Sequence, residues 1–158
     1  MKLQSASGYL DLSAIGVLVL DDNLNTQSLI AEVLRSLGVS KIHRSQSAHS
    51  ARVILQAGGI DLVFADIEMV DENGLEFVRK LRASPDSRLA NVVVVMVSAH
   101  ATESRVIEAG AVGANSFLVK PFSVASFARR LAEGFANRKA TLEAAAHRPI
   151  PPAKAVEI

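Results

Sequence analysis

No cysteine occurs among the 158 residues, which excludes disulfides and thiolate metal sites and is compatible with a reducing cytoplasm. Tryptophan is also absent and aromatics make up 4% of the chain, so rings for stacking on unpaired bases are scarce and single-strand nucleic-acid binding is disfavoured. Neither sign of charge dominates. With 17 basic and 16 acidic residues the formal charge is +1, which gives no global attraction to nucleic acid or anionic membrane. Long hydrophobic runs are missing as well: in the amino-terminal stretch MKLQSASGYLDLSAIGVLVLDD the apolar part runs straight into two aspartates, too early for a signal peptide or a bilayer span. The cytoplasm is the expected location.

What the chain does have is 49% hydrophobic residues, ample for one core of ordinary size. Its organising stretch is IDLVFADIEMVDENG, residues 60–74, an apolar strand that presents Asp66 where hydrophobicity stops and a loop of acidic and turn residues begins. Apolar residues on both sides of Val63 predict a strand covered on both faces, as in a parallel sheet between helices. Ligand chemistry in such sheets sits at the carboxyl ends of the strands. Other predicted strand ends carry Asp21 and Asp22 after IGVLVL, Ser98 after VVVVMV, and Lys120 before Pro121.

In chain order, residues 1–13 are polar and mixed and read as a loose leader, with Tyr9, Leu10 and Leu12 able to pack on the domain. A strand over 15–20 leads through the acidic pair into a helix with Leu29, Ile30, Val33, Leu34 and Leu37 on one face and Gly38 as its stop. A short polar strand over 41–44 belongs at a sheet edge. Ser47 caps a helix that ends at Gly58–Gly59, a helix-to-strand turn. Beyond Asp66, Gly74 opens a helix stopped near Ser84 and Pro85, with Arg79, Lys80 and Arg82 on its solvated face. The β-branched run 92–97 is the clearest buried strand. A short helix over 103–109, a strand over 116–119 and a last helix from Ser123, with Phe127, Leu131 and Phe135 inward, complete the domain. The prolines beyond Arg138 predict an extended, disordered tail over 138–158. His43, His49 and His147 read as surface residues.

Five strands alternating with five helices give a doubly wound α/β domain. The acidic pair, Asp66, Ser98 and Lys120-Pro121, in that order at strand ends, resemble the CheY-like receiver domain of two-component response regulators, over residues 14–137. The resemblance implies a flavodoxin-like five-stranded parallel sheet in the order 2-1-3-4-5 with helices on both faces. It implies a phosphoryl group accepted on Asp66 from a histidine kinase or histidine phosphotransfer protein. Mg²⁺ is then held by Asp21, Asp22, Asp66 and the backbone carbonyl of Glu68, a hard ion on oxygen ligands. Lys120 and Ser98 are implied to pair with phosphoryl oxygens, and Ser98 with the Phe117 ring to form the switch. Glu68 and His100, two residues beyond Asp66 and Ser98, would tune dephosphorylation. The bond before Pro121 is usually cis in that family. The downstream protein partner would dock on the face of the fourth helix, fifth strand and fifth helix, with Arg129 and Arg130 available to an acidic surface. Val70 and Glu72 depart from the family's common Pro and Met in the loop after the acceptor.

Each motif has a plainer reading: an acidic pair caps helices, Ser98 fits a turn, and Phe117 fits a core. Other functional readings are an adaptor that binds a partner or nucleotide without phosphorylation, and a Mg²⁺-dependent phosphatase with Asp21 or Asp22 as nucleophile. The latter commonly needs a second carboxylate two positions on, and Asn23 follows Asp22. Cyclic dinucleotide binding through arginines has no motif to support it. The expectation is a single-domain response regulator with no DNA-binding domain, and no conventional enzyme beyond phosphotransfer to itself and autodephosphorylation.

Overall fold

The computed structural model describes residues 2–5 and 8–146, with residues 5 and 139–146 described by backbone alone. In chain order the elements are β1 (Lys2–Ser5), β2 (Gly8–Asp11), a 3-10 turn (Leu12–Ala14), β3 (Gly16–Leu20), α1 (Leu24–Ser36), β4 (Lys41–Ser45), α2 (Ala48–Ala57), β5 (Leu62–Asp66), α3 (Gly74–Arg82), α4 (Ser87–Ala90), β6 (Val93–Ser98), α5 (Glu103–Ala111), β7 (Ser116–Val119) and α6 (Val124–Ala146).

Strands β3 to β7 form a five-stranded parallel sheet in the order β4-β3-β5-β6-β7. Numbered within the sheet this is the expected 2-1-3-4-5, with the short polar β4 at an edge. Every residue of β3, β5 and β6 is buried, as strands covered on both faces require. Alternate residues feed opposite layers. Leu18, Val63, Val94 and Met96 pack with Leu55 of α2, Phe77 of α3 and Ala109 of α5. Val17, Val19, Phe64 and Val95 pack with Ile30 and Leu34 of α1 and Phe127 and Leu131 of α6. Phe64 stacks on Phe127 with ring centroids 4.7 Å apart, which adds about 0.5–1.5 kcal/mol to the burial of both rings.

Local chemistry sets the helix ends. Asn23 accepts from the Asn25 and Thr26 N–H groups at the start of α1, Ser47 caps α2 through the Ser50 N–H, and Ser123 takes the Ser126 N–H at the start of α6. Gly58 and Gly59 have φ of 91° and 85°, the left-handed region an L side chain avoids. A Cβ at Gly16 would meet the Gly59 carbonyl oxygen at 1.8 Å, so two glycines let that turn lie against β3.

Three expectations are corrected. The segment expected as a loose leader over 1–13 carries two strands among its described residues: β1 (Lys2–Ser5) and β2 (Gly8–Asp11) pair antiparallel, Leu12 is wholly buried, and Leu3 and Leu10 pack on the α1/α6 layer. Tyr9 stays 73% exposed. The hairpin has too few residues for its alternation to stand out, and its partner surface, Ala128, Ala132 and Ala136 of α6, is remote in sequence. Second, α6 continues to Ala146. Residues 139–146, KATLEAAA, are mostly good helix formers and no proline lies between Pro121 and Pro149; the expected disorder over 147–158 lies outside the described residues. Third, Arg82 leaves the solvated face, and its guanidinium donates to the carbonyls of Gly113, Ala90 and Val92 and to Asn115 Oδ1. No helix among the described residues is long and apolar enough to cross a membrane.

Candidate functional site

Four parallel strands deliver their carboxyl ends to one place. Asp21 follows β3, Asp66 ends β5, Ser98 ends β6, and Lys120 follows β7. The loop after β3 is fixed from below by Gln27, whose amide donates to the Asp21 and Ser45 carbonyls at 2.7 and 2.9 Å. Gly74 allows the loop after β5 to fold back over Asp66, since a Cβ there would lie 2.1 Å from the Asp66 carbonyl oxygen. One carboxylate oxygen from each of Asp21, Asp22 and Asp66 lies within 4.8 Å of the others.

The three carboxylates are not equivalent. Asp21 has both oxygens engaged: Oδ1 accepts the Asn23 N–H at 2.9 Å and Oδ2 accepts from Lys120 Nζ at 3.1 Å. Asp22 Oδ2 accepts the Val70 N–H at 3.2 Å. Asp66 Oδ1 is buried without a hydrogen-bond partner, with Lys120 Nζ 3.7 Å away. Burial and then the Asp21 charge push the Asp66 carboxyl up to about 7, with Glu68 adding to the shift while Lys120 and the Glu68 backbone pull against it. A cation at this point would answer both the buried oxygen and the repulsion. All-oxygen donors of this kind suit Mg²⁺.

Comparison with known proteins agrees. Residues 17–132 match the family model described as the response regulator receiver domain. The chain belongs to that family. It is 30% identical to chemotaxis protein CheY-3 of Vibrio cholerae over 115 residues, 73% of this chain and 87% of that protein. With chemotaxis protein CheY of Pseudomonas aeruginosa it shares 33% over 107 residues, 68% of this chain and 85% of that protein. Among solved structures, the CheX-CheY-BeF3-Mg complex of Borrelia burgdorferi is similar at a TM-score of 0.70 and 27% identity, covering 77% of this chain and 89% of that one. As a CheY-like receiver domain the protein is a phosphorylatable response regulator of two-component signalling, and receiver domains typically bind Mg²⁺.

The receiver's remaining predicted residues spread outward from the pocket. The Ser98 hydroxyl donates to the Glu68 carboxylate at 3.1 Å and accepts the His100 N–H at 3.0 Å. The rest of His100 is exposed. Phe117 is half-buried, beside Met96 in register, and borders a cavity of about 210 Å³ against Val106, Ala109 and Gly110 of α5. The Lys120-Pro121 bond is cis. Glu72, one of the family departures, pairs with Arg52 and, at 2.5 Å, with Lys80, while Val70 is 95% exposed. Arg129 is exposed, but Arg130 is half-buried and pairs with Glu133 at 2.8 Å.

Two residues of the site gave no signal in sequence. Gln27 is a polar residue on the otherwise apolar face of α1. Arg105, on α5, pairs with Glu68 at 2.5 Å across a separation that no local pattern reveals.

Proposed function

We propose that the protein accepts a phosphoryl group on Asp66 from a histidine kinase or histidine phosphotransfer protein and passes the resulting change to a protein partner. The observation that carries this reading is the contrast among the carboxylates: Asp66 alone keeps a buried oxygen free of hydrogen bonds. That oxygen attacks phosphorus in line as the phosphorus–nitrogen bond of the donor histidine breaks, and the leaving imidazole takes up a proton. Asp21, Asp22, Asp66 and the Glu68 carbonyl would hold Mg²⁺, which supplies neutralising charge to the phosphoryl oxygens. Lys120, within ion-pair distance of Asp66, steadies another oxygen, and the Ser98 hydroxyl turns to a third after transfer. Glu68 and His100, at the pocket mouth, set how readily water reaches the acyl phosphate.

The phosphatase alternative suffers from the same contrast, because both Asp21 oxygens already accept hydrogen bonds and Asp22 Oδ2 accepts the Val70 N–H. Output runs through α5, β7 and α6, where Phe117 and its cavity link the Ser98 end of the sheet to a helix surface. Arg129 is an exposed cation there. Charge reversal in Arg129→Glu/Arg130→Glu should reduce capture of the partner in a pulldown from the native host while leaving phosphorylation unchanged; capture of the same partners as wild type would remove this docking face. For the central reaction, acetyl phosphate with Mg²⁺ followed by intact mass should show one added phosphoryl group, absent in Asp66→Asn. Equal labelling of that variant would sink the assignment.

A further inference from the structure

A serine hydroxyl has one proton to donate. At Ser98 that proton faces the Glu68 carboxylate, with Oγ 3.1 Å from Oε1 and 3.3 Å from Oε2, and the competing acceptor among the described residues is the His100 carbonyl at 3.4 Å. The same Glu68 Oε1 is gripped by Nη1 of Arg105 at 2.5 Å. Arg105 lies in the first turn of α5. Three elements are thus tied together at one carboxylate: the loop after β5, the end of β6 and the helix of the output face.

Resting on the reading of Asp66 as phosphoacceptor, we propose that Arg105 is a positioning residue of the switch. Its ion pair holds Glu68 on Ser98, and a phosphoryl group on Asp66 gains the Ser98 hydroxyl only by displacing Glu68. A phosphoryl group brings close to two negative charges, which repel the Glu68 carboxylate and favour its departure. The Arg105 and Glu68 side chains are 32% and 40% exposed, so the pair adds little to stability by itself. Its effect lies in where it puts the carboxylate. Without Arg105, Glu68 turns into water, where its charge is screened, and the hydroxyl no longer has to be won back. The state with Ser98 turned toward the phosphoryl is then easier to reach, and a ligand selective for that state binds more tightly. Because Arg105 belongs to α5, release of Glu68 also frees the start of the output helix.

Beryllofluoride with Mg²⁺, a phosphoryl mimic, titrated calorimetrically into the full chain tests this. Arg105→Ala should bind it about fivefold more tightly than wild type or better, and Arg105→Lys should stay near wild type. In a Glu68→Ala background, Arg105→Ala should add nothing. Without ligand, the His100 amide proton, which reports on Ser98 Oγ, should shift alike in Arg105→Ala and Glu68→Ala. Unchanged or weaker binding by Arg105→Ala overturns the proposal, as does an equal effect of that substitution in both backgrounds, which would show that Arg105 acts independently of Glu68. If wild type fails to bind, or Asp66→Asn binds as well, the phosphoacceptor reading itself fails and takes the proposal with it.

Discussion

The two ends of the parallel sheet bury polar groups in opposite ways. At the amino end, the buried Asn115 accepts at Oδ1 from both the Val94 N–H and Arg82 at 2.8 and 2.7 Å. Arg82 spends its remaining donors on backbone carbonyls, and burial followed by the neighbouring Arg138 lowers its pKa to about 10, still charged near neutrality. At the carboxyl end, Asp66 Oδ1 is buried with no hydrogen bond, beside the Asp21 carboxylate. Groups satisfied at one end hold the fold. The group left wanting at the other awaits a cation and a phosphoryl group. Among the described residues the other such buried side-chain atom is Nε of Arg138, next to the α6 segment described by backbone alone.

Asp66→Asn breaks the comparison most sharply. It keeps shape and removes one of the repelling charges, so labelling should vanish while thermal stability at neutral pH is equal to wild type or higher; a large loss of stability would show that Asp66 holds the fold after all. Lys120→Ala and Asp22→Ala should each slow transfer from acetyl phosphate by roughly ten- to thousandfold, the usual loss on removing one stabilising group. Wild-type rates in either would take that residue out of the pocket chemistry.

Asn115→Ala is the counterpart at the other end. It strips the Val94 N–H and an Arg82 N–H of their acceptor, and should cost about 2–4 kcal/mol in urea unfolding, while the folded fraction still labels on Asp66. Unaltered stability would mean that the amino end tolerates unsatisfied groups as readily as the site does.

A smaller effect concerns pH without Mg²⁺. The Asp66 carboxyl sits at about 7 in the fold against 3.8 for the unperturbed group, so the folded state binds the extra proton between those values. Its stabilising contribution is fully present below about 3.8 and is lost as pH rises through about 7. The stability difference between wild type and Asp66→Asn should therefore move against wild type over that window, and saturating Mg²⁺ should reduce the movement. A difference flat in pH would count against the repulsion.

The sheet was legible because its strands are buried on both faces and carry long β-branched or apolar runs, as at 92–97, with capping residues such as Ser47 and turn glycines such as Gly58–Gly59 between them. The pocket was legible because its groups sit where those runs end, and their order resembles a known family. What escaped detection depends on contacts between distant residues. Strand β1 lies beside the alanines of α6, far away in sequence. Arg82 looks like an ordinary surface cation until carbonyls from two distant segments, Ala90 with Val92 and Gly113, converge on it. Arg105 reads as a helix-surface charge, and only the fold brings it to Glu68. The end of α6 was missed for a different reason, because prolines from Pro149 onward overshadowed a helix-forming run just before them.

The most direct measurement is chemical. Treating the acetyl-phosphate-labelled protein with borohydride reduces an acyl phosphate to the corresponding alcohol, and peptide mapping locates the residue converted. Conversion at Asp66 alone, dependent on Mg²⁺, is the predicted result. Conversion at Asp21, whose two oxygens are both engaged, or at Asp22 would contradict the claim that the carboxylate with the buried, unsatisfied oxygen is the one that reacts.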